Sequence, residues 1–173
     1  MSLLDDACRH HLVLKTLASE ESTKAFADPL ASRHMELGIV EVDDDHSLAK
    51  CKIETFYEEL GRRIDEIGFL DGFVAFETML DDHRKRIGRK SGPRVPAAKN
   101  LAQYLKGIDR DLAESYELLK FERDEIAHAL LPARPLVATV LEEKEILETV
   151  LSALPSTGSS RMLKKASSQW SFS

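Results

Sequence analysis

An all-α fold follows from three features of the 173-residue chain: glycine and proline are few, at 8 and 6, β-branched residues rarely cluster, and apolar residues recur three and four positions apart almost throughout. No segment shows the two-residue alternation of a half-buried strand. With 43% apolar residues the chain is long enough for one substantial core, and one helical domain over 1–154 is predicted. Within it, 1–20 form an N-terminal helix and 45–154 the core bundle; 155–173 form a flexible, serine-rich tail.

The first helix, "SLLDDACRHHLVLKTLAS", carries Leu3, Leu4, Ala7, His11, Leu14 and Leu17 or Ala18 at helical spacing, a stripe expected to dock on the bundle. "ESTKAFADPLASRHMELGIVE" mixes a proline, a glycine and varied polarity, and predicts an irregular connection with a short helix near Ala31 to Leu37. Asp43, Asp44 and Asp45 then suit a helix start, and Arg84, Lys85, Arg86 and Arg89 suit its end. Between them Phe56, Leu60, Ile64, Ile67, Val74, Phe76 and Leu80 continue an apolar pattern through Gly61, Gly68 and Gly72. Each glycine costs about 1 kcal/mol of helix propensity. One very long helix, or two nearly collinear ones, is predicted, with the glycines admitting close packing or a gentle bend. Pro96 opens the next helix, "AAKNLAQYLKG", and "IDRDLAESYELLKFERDEIAHALL" forms another that stops near Pro132 and Pro135. "LVATVLEEKEILETVLSAL" is the last helix. The tail is flexible unless Trp170 and Phe172 dock.

A formal net charge of −6 and a pI near 5.5 argue against a duplex-DNA coat or a polybasic membrane binder. No apolar run approaches the roughly 20 residues of a membrane span. Cys8 and Cys51 lack CxxC spacing, and the N-terminus does not read as a signal peptide, so a reducing cytoplasm is the expected compartment. Both thiols are expected to be buried and inert. His10, His11, His34, His46 and His83 have no zinc-ligand spacing, and there is no phosphate-cradling glycine loop; no metal or cofactor is expected.

The chemistry concentrates in the helix ending "FERDEIAHALLP". Ile108, Leu112, Tyr116, Leu119, Ile126 and Leu130 share one stripe, and Arg123 falls inside it. A guanidinium there needs an anion: Glu77, Asp81 or Asp82 on the long helix, or one from outside. His128 lies five residues on, about 140° around and roughly 7.5 Å along the axis. Asp124, four residues before His128, can meet it on one face and orient its imidazole. For Arg123 and His128 to act on one group, the arginine must reach across or a second copy must face the first, which implies a symmetric dimer. The plainer alternative is a helix-end cation and a structural ion pair.

The string Arg123-Asp124-Glu125-Ile126-Ala127-His128 resembles the R-x4-H motif of the HEPN superfamily, and Asp124 fits the polar residue that follows the arginine there. The resemblance implies an all-α bundle with two long antiparallel helices and shorter flanking ones, over roughly Asp45 to Leu154. It further implies a metal-independent endoribonuclease of toxin or phage-defence type, a homodimer whose two motifs meet in one cleft. His128 would then be general base or acid for attack by the ribose 2′-hydroxyl, Arg123 would stabilise charge on the phosphate, and Asp124 would orient His128 or bind the ribose. The products would be 2′,3′-cyclic phosphate and 5′-hydroxyl ends. Some members carry a modified tyrosine two residues after the histidine; here that position is Leu130, which puts such control in doubt. Other members bind nucleotides or proteins without cleaving, and a non-catalytic helical module is the alternative reading. A third is a helical adaptor in which Arg123 only pairs with acids of the long helix.

Arg84, Lys85, Arg86, Arg89 and Lys90 form a basic track suited to an RNA backbone, or else a solvated helix end. The tail's Arg161, Lys164, Lys165, Trp170 and Phe172 suit single-stranded RNA by charge and stacking. The expected partners are thus RNA, a second copy, and an antitoxin or regulatory protein; no membrane partner is expected.

Overall fold

The computed structural model describes residues 2–87, 95–128 and 135–155, and among these every regular element is a helix. They are α1 (Leu3–Ala27), α2 (Ser32–Glu36), α3 (His46–Ile87), α4 (Ala98–Lys106), α5 (Arg110–Ala127) and α6 (Val140–Ser152). None is long and apolar enough to cross a membrane. Of the expected tail only Pro155 is described; residues 156–173, with Arg89, Lys90 and Leu130, lie outside the described residues.

α3 is a single helix of 42 residues, about 63 Å long at 1.5 Å per residue. Asp45 starts it, accepting the backbone N–H groups of Ser47 and Leu48 at 2.9 and 2.8 Å. α1 lies antiparallel along it, because the later α1 residue Lys15 meets the earlier Gly61 while His11 meets Gly68. The sequence places the end of this first helix near Ser19, but it runs on to Ala27. Thr23 spends its hydroxyl on the Ser19 carbonyl and Lys24 pairs with Glu21, so the polar stretch is solvated helix rather than loop.

The main core joins Phe69, Phe73, Phe76 and Leu80 of α3 to Leu4 of α1, Leu101 and Leu105 of α4, Tyr116 and Leu119 of α5, and Leu147 of α6. A smaller cluster of Ala25, Val40, Ala49 and Ile53 closes the other end. The expected α3 stripe is out of phase: Ile64, Phe76 and Leu80 are buried, but Phe56, Ile67 and Val74 are exposed. α3 carries two apolar stripes, and α4 to α6 cover the one that holds Phe69 and Phe73. On α1, Leu4 and Ala7 are buried as expected, whereas Leu3, Leu14 and Leu17 are exposed. Cys8 is buried, but Cys51 is exposed, contrary to the expectation for both thiols.

Two of the three α3 glycines, Gly68 and Gly72, act as notches. A Cβ on Gly68 would stand 2.6 Å from the His11 ring, and one on Gly72 would stand 2.8 Å from the Glu143 carboxyl. α1 and α6 therefore seat polar side chains against bare α3 backbone.

Candidate functional site at the end of α5

Asp109 caps α5 by accepting the Leu112 N–H at 3.0 Å, and the helix packs Ala113, Tyr116, Leu119 and Glu122 inward. That registration turns Arg123 toward α3. Its Nη2 donates to Glu77 Oε1 at 3.1 Å, and its Cζ lies 5.5 Å from the centroid of the Phe73 ring. Of the three acids foreseen as partners, α3 thus supplies Glu77. Asp81 and Asp82 are taken by Arg84 and Lys85, at 3.1 and 3.6 Å. The Arg123 side chain keeps 27% of its surface open, so solvent or an anion reaches it. Tyr116 lies beneath, its phenol pushed up to about 12 by burial, with the Glu77 charge adding to the shift.

Asp124 does not hold the His128 imidazole. Its carboxylate takes Lys120 Nζ at 3.3 Å and stands 3.2 Å from Arg123 Nε, a pairing without hydrogen-bond alignment. Only backbone joins it to His128, whose N–H donates to the Asp124 carbonyl at 3.1 Å. His128 is the exposed C-cap of α5. One chain therefore presents Arg123 against α3 and His128 to solvent, and does not gather the two around a single point.

The cations at the end of α3 are similarly engaged, Arg86 donating from Nε to the Asp82 carbonyl at 3.2 Å. Arg84 is seven residues beyond Glu77, about 10 Å along the helix. A phosphate chain crossing Arg123 could continue to them over that distance.

Two features away from α5 escaped the sequence reading. His11 Nε2 and Lys15 Nζ both reach the Asp65 carboxylate at 2.8 Å. They sit at the rim of a cleft of about 570 Å³ walled by Cys8, Leu12, Leu136, Val140 and Leu141. Although burial raises Asp65, the pull of Lys15 and His11 leaves its carboxyl below the usual value. The second is Glu143, fully buried on Gly72 with neither carboxyl oxygen hydrogen-bonded. Burial pushes it up to about 9, so it is a neutral acid near pH 7. The glycines four apart were the only trace of either contact in the sequence. Among the described residues no group of three or more His, Cys, Asp or Glu side chains could hold a metal ion.

Comparison of the chain with protein-family models, with curated proteins and with solved structures finds no match.

Proposed function

We propose that the end of α5 is an RNA-cleaving site of the HEPN type, acting without metal and completed by a second copy of the chain. One observation carries this reading: Arg123 and His128 both reach the surface near the same helix end, yet on different sides of it. A second copy can bring its own imidazole to the open edge of the first copy's guanidinium. The Glu77 ion pair is exchangeable there, because both partners are partly solvated and a phosphate offers the guanidinium a stronger, bidentate contact. Arg123 then steadies the negative charge that builds on the non-bridging phosphate oxygens. His128 takes the 2′-hydroxyl proton or donates one to the leaving 5′-oxygen.

With His128 on one side and Asp124 engaged by Lys120, Asp124 acts on the site through Arg123 rather than through the imidazole. Arg84, Lys85 and Arg86 would guide the flanking RNA backbone. The reading places the chain among toxin or phage-defence effectors held in check by a partner protein.

The test is incubation of the purified chain with total cellular RNA in the presence of EDTA, alongside folded Arg123→Ala and His128→Ala variants. Cleavage by the parent alone, with cyclic phosphate ends, supports the proposal. RNA left intact by the parent overturns it and favours a helical adaptor in which Arg123 only pairs with an acid of α3, the reading that the Arg123–Glu77 pair supports.

A further inference from the structure

α1 and α3 form a two-helix layer, and α4 to α6 cover only one of its faces. The opposite face keeps large apolar side chains in water: Ile67 is 50% exposed, Val74 63% and Leu17 52%, with Leu3, Leu14 and Phe56 also open. At about 100° per residue, Leu60, Ile67 and Val74 share one line along α3. The antiparallel packing brings the Leu3, Leu14 and Leu17 flank of α1 beside that line. An apolar surface of this extent, running along both helices, is a surface built to be covered.

The spacing on α3 says by what. Leu60 and Val74 stand seven residues before and after Ile67, while Arg63 and Asp71 stand four before and four after it. A line that reads apolar, basic, apolar, acidic, apolar is complementary to itself when reversed. Laid antiparallel on a copy of itself about a two-fold axis at Ile67, it sets Leu60 against Val74 of the copy. The same operation sets Arg63 against Asp71 of the copy, twice by symmetry. Arg63 is 60% exposed and Asp71 is exposed, so both reach such a partner. Within its own chain Arg63 shares Glu59 and Glu66 with Arg62, an arrangement that leaves Arg63 the outer, more solvated of the two arginines.

We propose that a second copy of this chain docks antiparallel on the uncovered α1/α3 face, centred on Ile67 and held in register by reciprocal Arg63–Asp71 pairs. The inference is independent of the ribonuclease reading. In this pairing the two Glu77 positions lie about 30 Å apart along the axis, so the interface leaves the α5 ends free.

Light scattering with size-exclusion chromatography on the full chain tests this, using Arg63→Asp, Asp71→Arg and Ile67→Glu, each checked for helicity by circular dichroism. Each single reversal sets like charges opposite each other, and the expected result is at least tenfold weaker association and a halved mass. Mixing Arg63→Asp with Asp71→Arg restores both pairs in the heteromer, and the parental mass returns. If α5 also pairs copies, the parent is a tetramer reduced to a dimer; otherwise it is a dimer reduced to a monomer. A parent that stays monomeric at tens of micromolar overturns the proposal. So do reversals that leave the mass unchanged, or a mixture that fails to recover it.

Discussion

Replacing Glu143 with methionine should stabilise the protein, by an amount that grows with pH. The carboxyl is fully buried on Gly72 and has no hydrogen bond, which pushes it from 4.5 up to about 9. Between those values the folded chain holds a proton that the unfolded chain releases. Stability therefore falls as pH rises, by about 1.4 kcal/mol per unit for this one group, and the loss levels off above the folded value. At pH 7 the distance from 4.5 is 2.5 units, so the wild-type residue costs about 3 kcal/mol that methionine would not. Methionine differs little in volume, and any packing change it causes is the same at every pH. Urea unfolding of both proteins from pH 5 to 8 is the assay. The stability difference should widen steadily in favour of Glu143→Met. Two parallel curves would refute the reasoning, because they would mean that the carboxyl is ionised when folded and has a partner.

The glycine notches predict opposite signs along one helix. Gly68→Ala puts a Cβ 2.6 Å from the His11 ring and 3.0 Å from its Cβ, and should cost about 1–3 kcal/mol despite the gain in helix propensity. Gly61→Ala meets only Lys15 Nζ at 4.0 Å and should raise the melting point through a gain of about 0.5–1 kcal/mol. Thr139 caps α6 by accepting the Glu142 N–H at 3.2 Å, so Thr139→Ala should lower stability by about 1 kcal/mol in the same melts. Asp65 titrates below its usual value because Lys15 and His11 hold it. Its contribution is complete above about 3.8 and disappears as pH falls through the lower, folded value. The stability gap between parent and Asp65→Asn should accordingly close in acid titrations below pH 4.

Helix class and order were legible because the chain's apolar period is 3.6 nearly everywhere, and caps such as Asp45 and Asp109 stand where their helices start. The extent of α3 through its three glycines was readable as one long helix or two nearly collinear ones, because the apolar pattern runs on past each of them; α3 is one helix. Which stripe faces inward was not. Phe56, Ile67 and Val74 have the same helical periodicity as Phe69, Phe73 and Phe76, and only the position of α4 to α6 separates them. At the candidate site, the need of Arg123 for an anion, an acid of α3 or one from outside, was legible from its place in an apolar stripe. The choice of Glu77 over Asp81 depends on where α5 crosses α3, which local spacing does not encode. The expected Asp124–His128 contact failed because Lys120, on the preceding turn, competes for the same carboxylate. Glu143 left no signal of its own, since "EEKE" reads as a solvated helix face, and Gly72 opposite it was the one trace.

The most direct test of the composite site is to mix two variants that are each inactive on RNA, Arg123→Ala and His128→Ala. If the guanidinium of one copy works with the imidazole of the other, half of a randomly mixed population carries one intact site of its two. Cleavage in the presence of EDTA then returns to about a quarter of the parental rate, the fraction following from two-fold symmetry. A mixture as silent as its components, with the parent active, would contradict the account and place both residues in one chain's site.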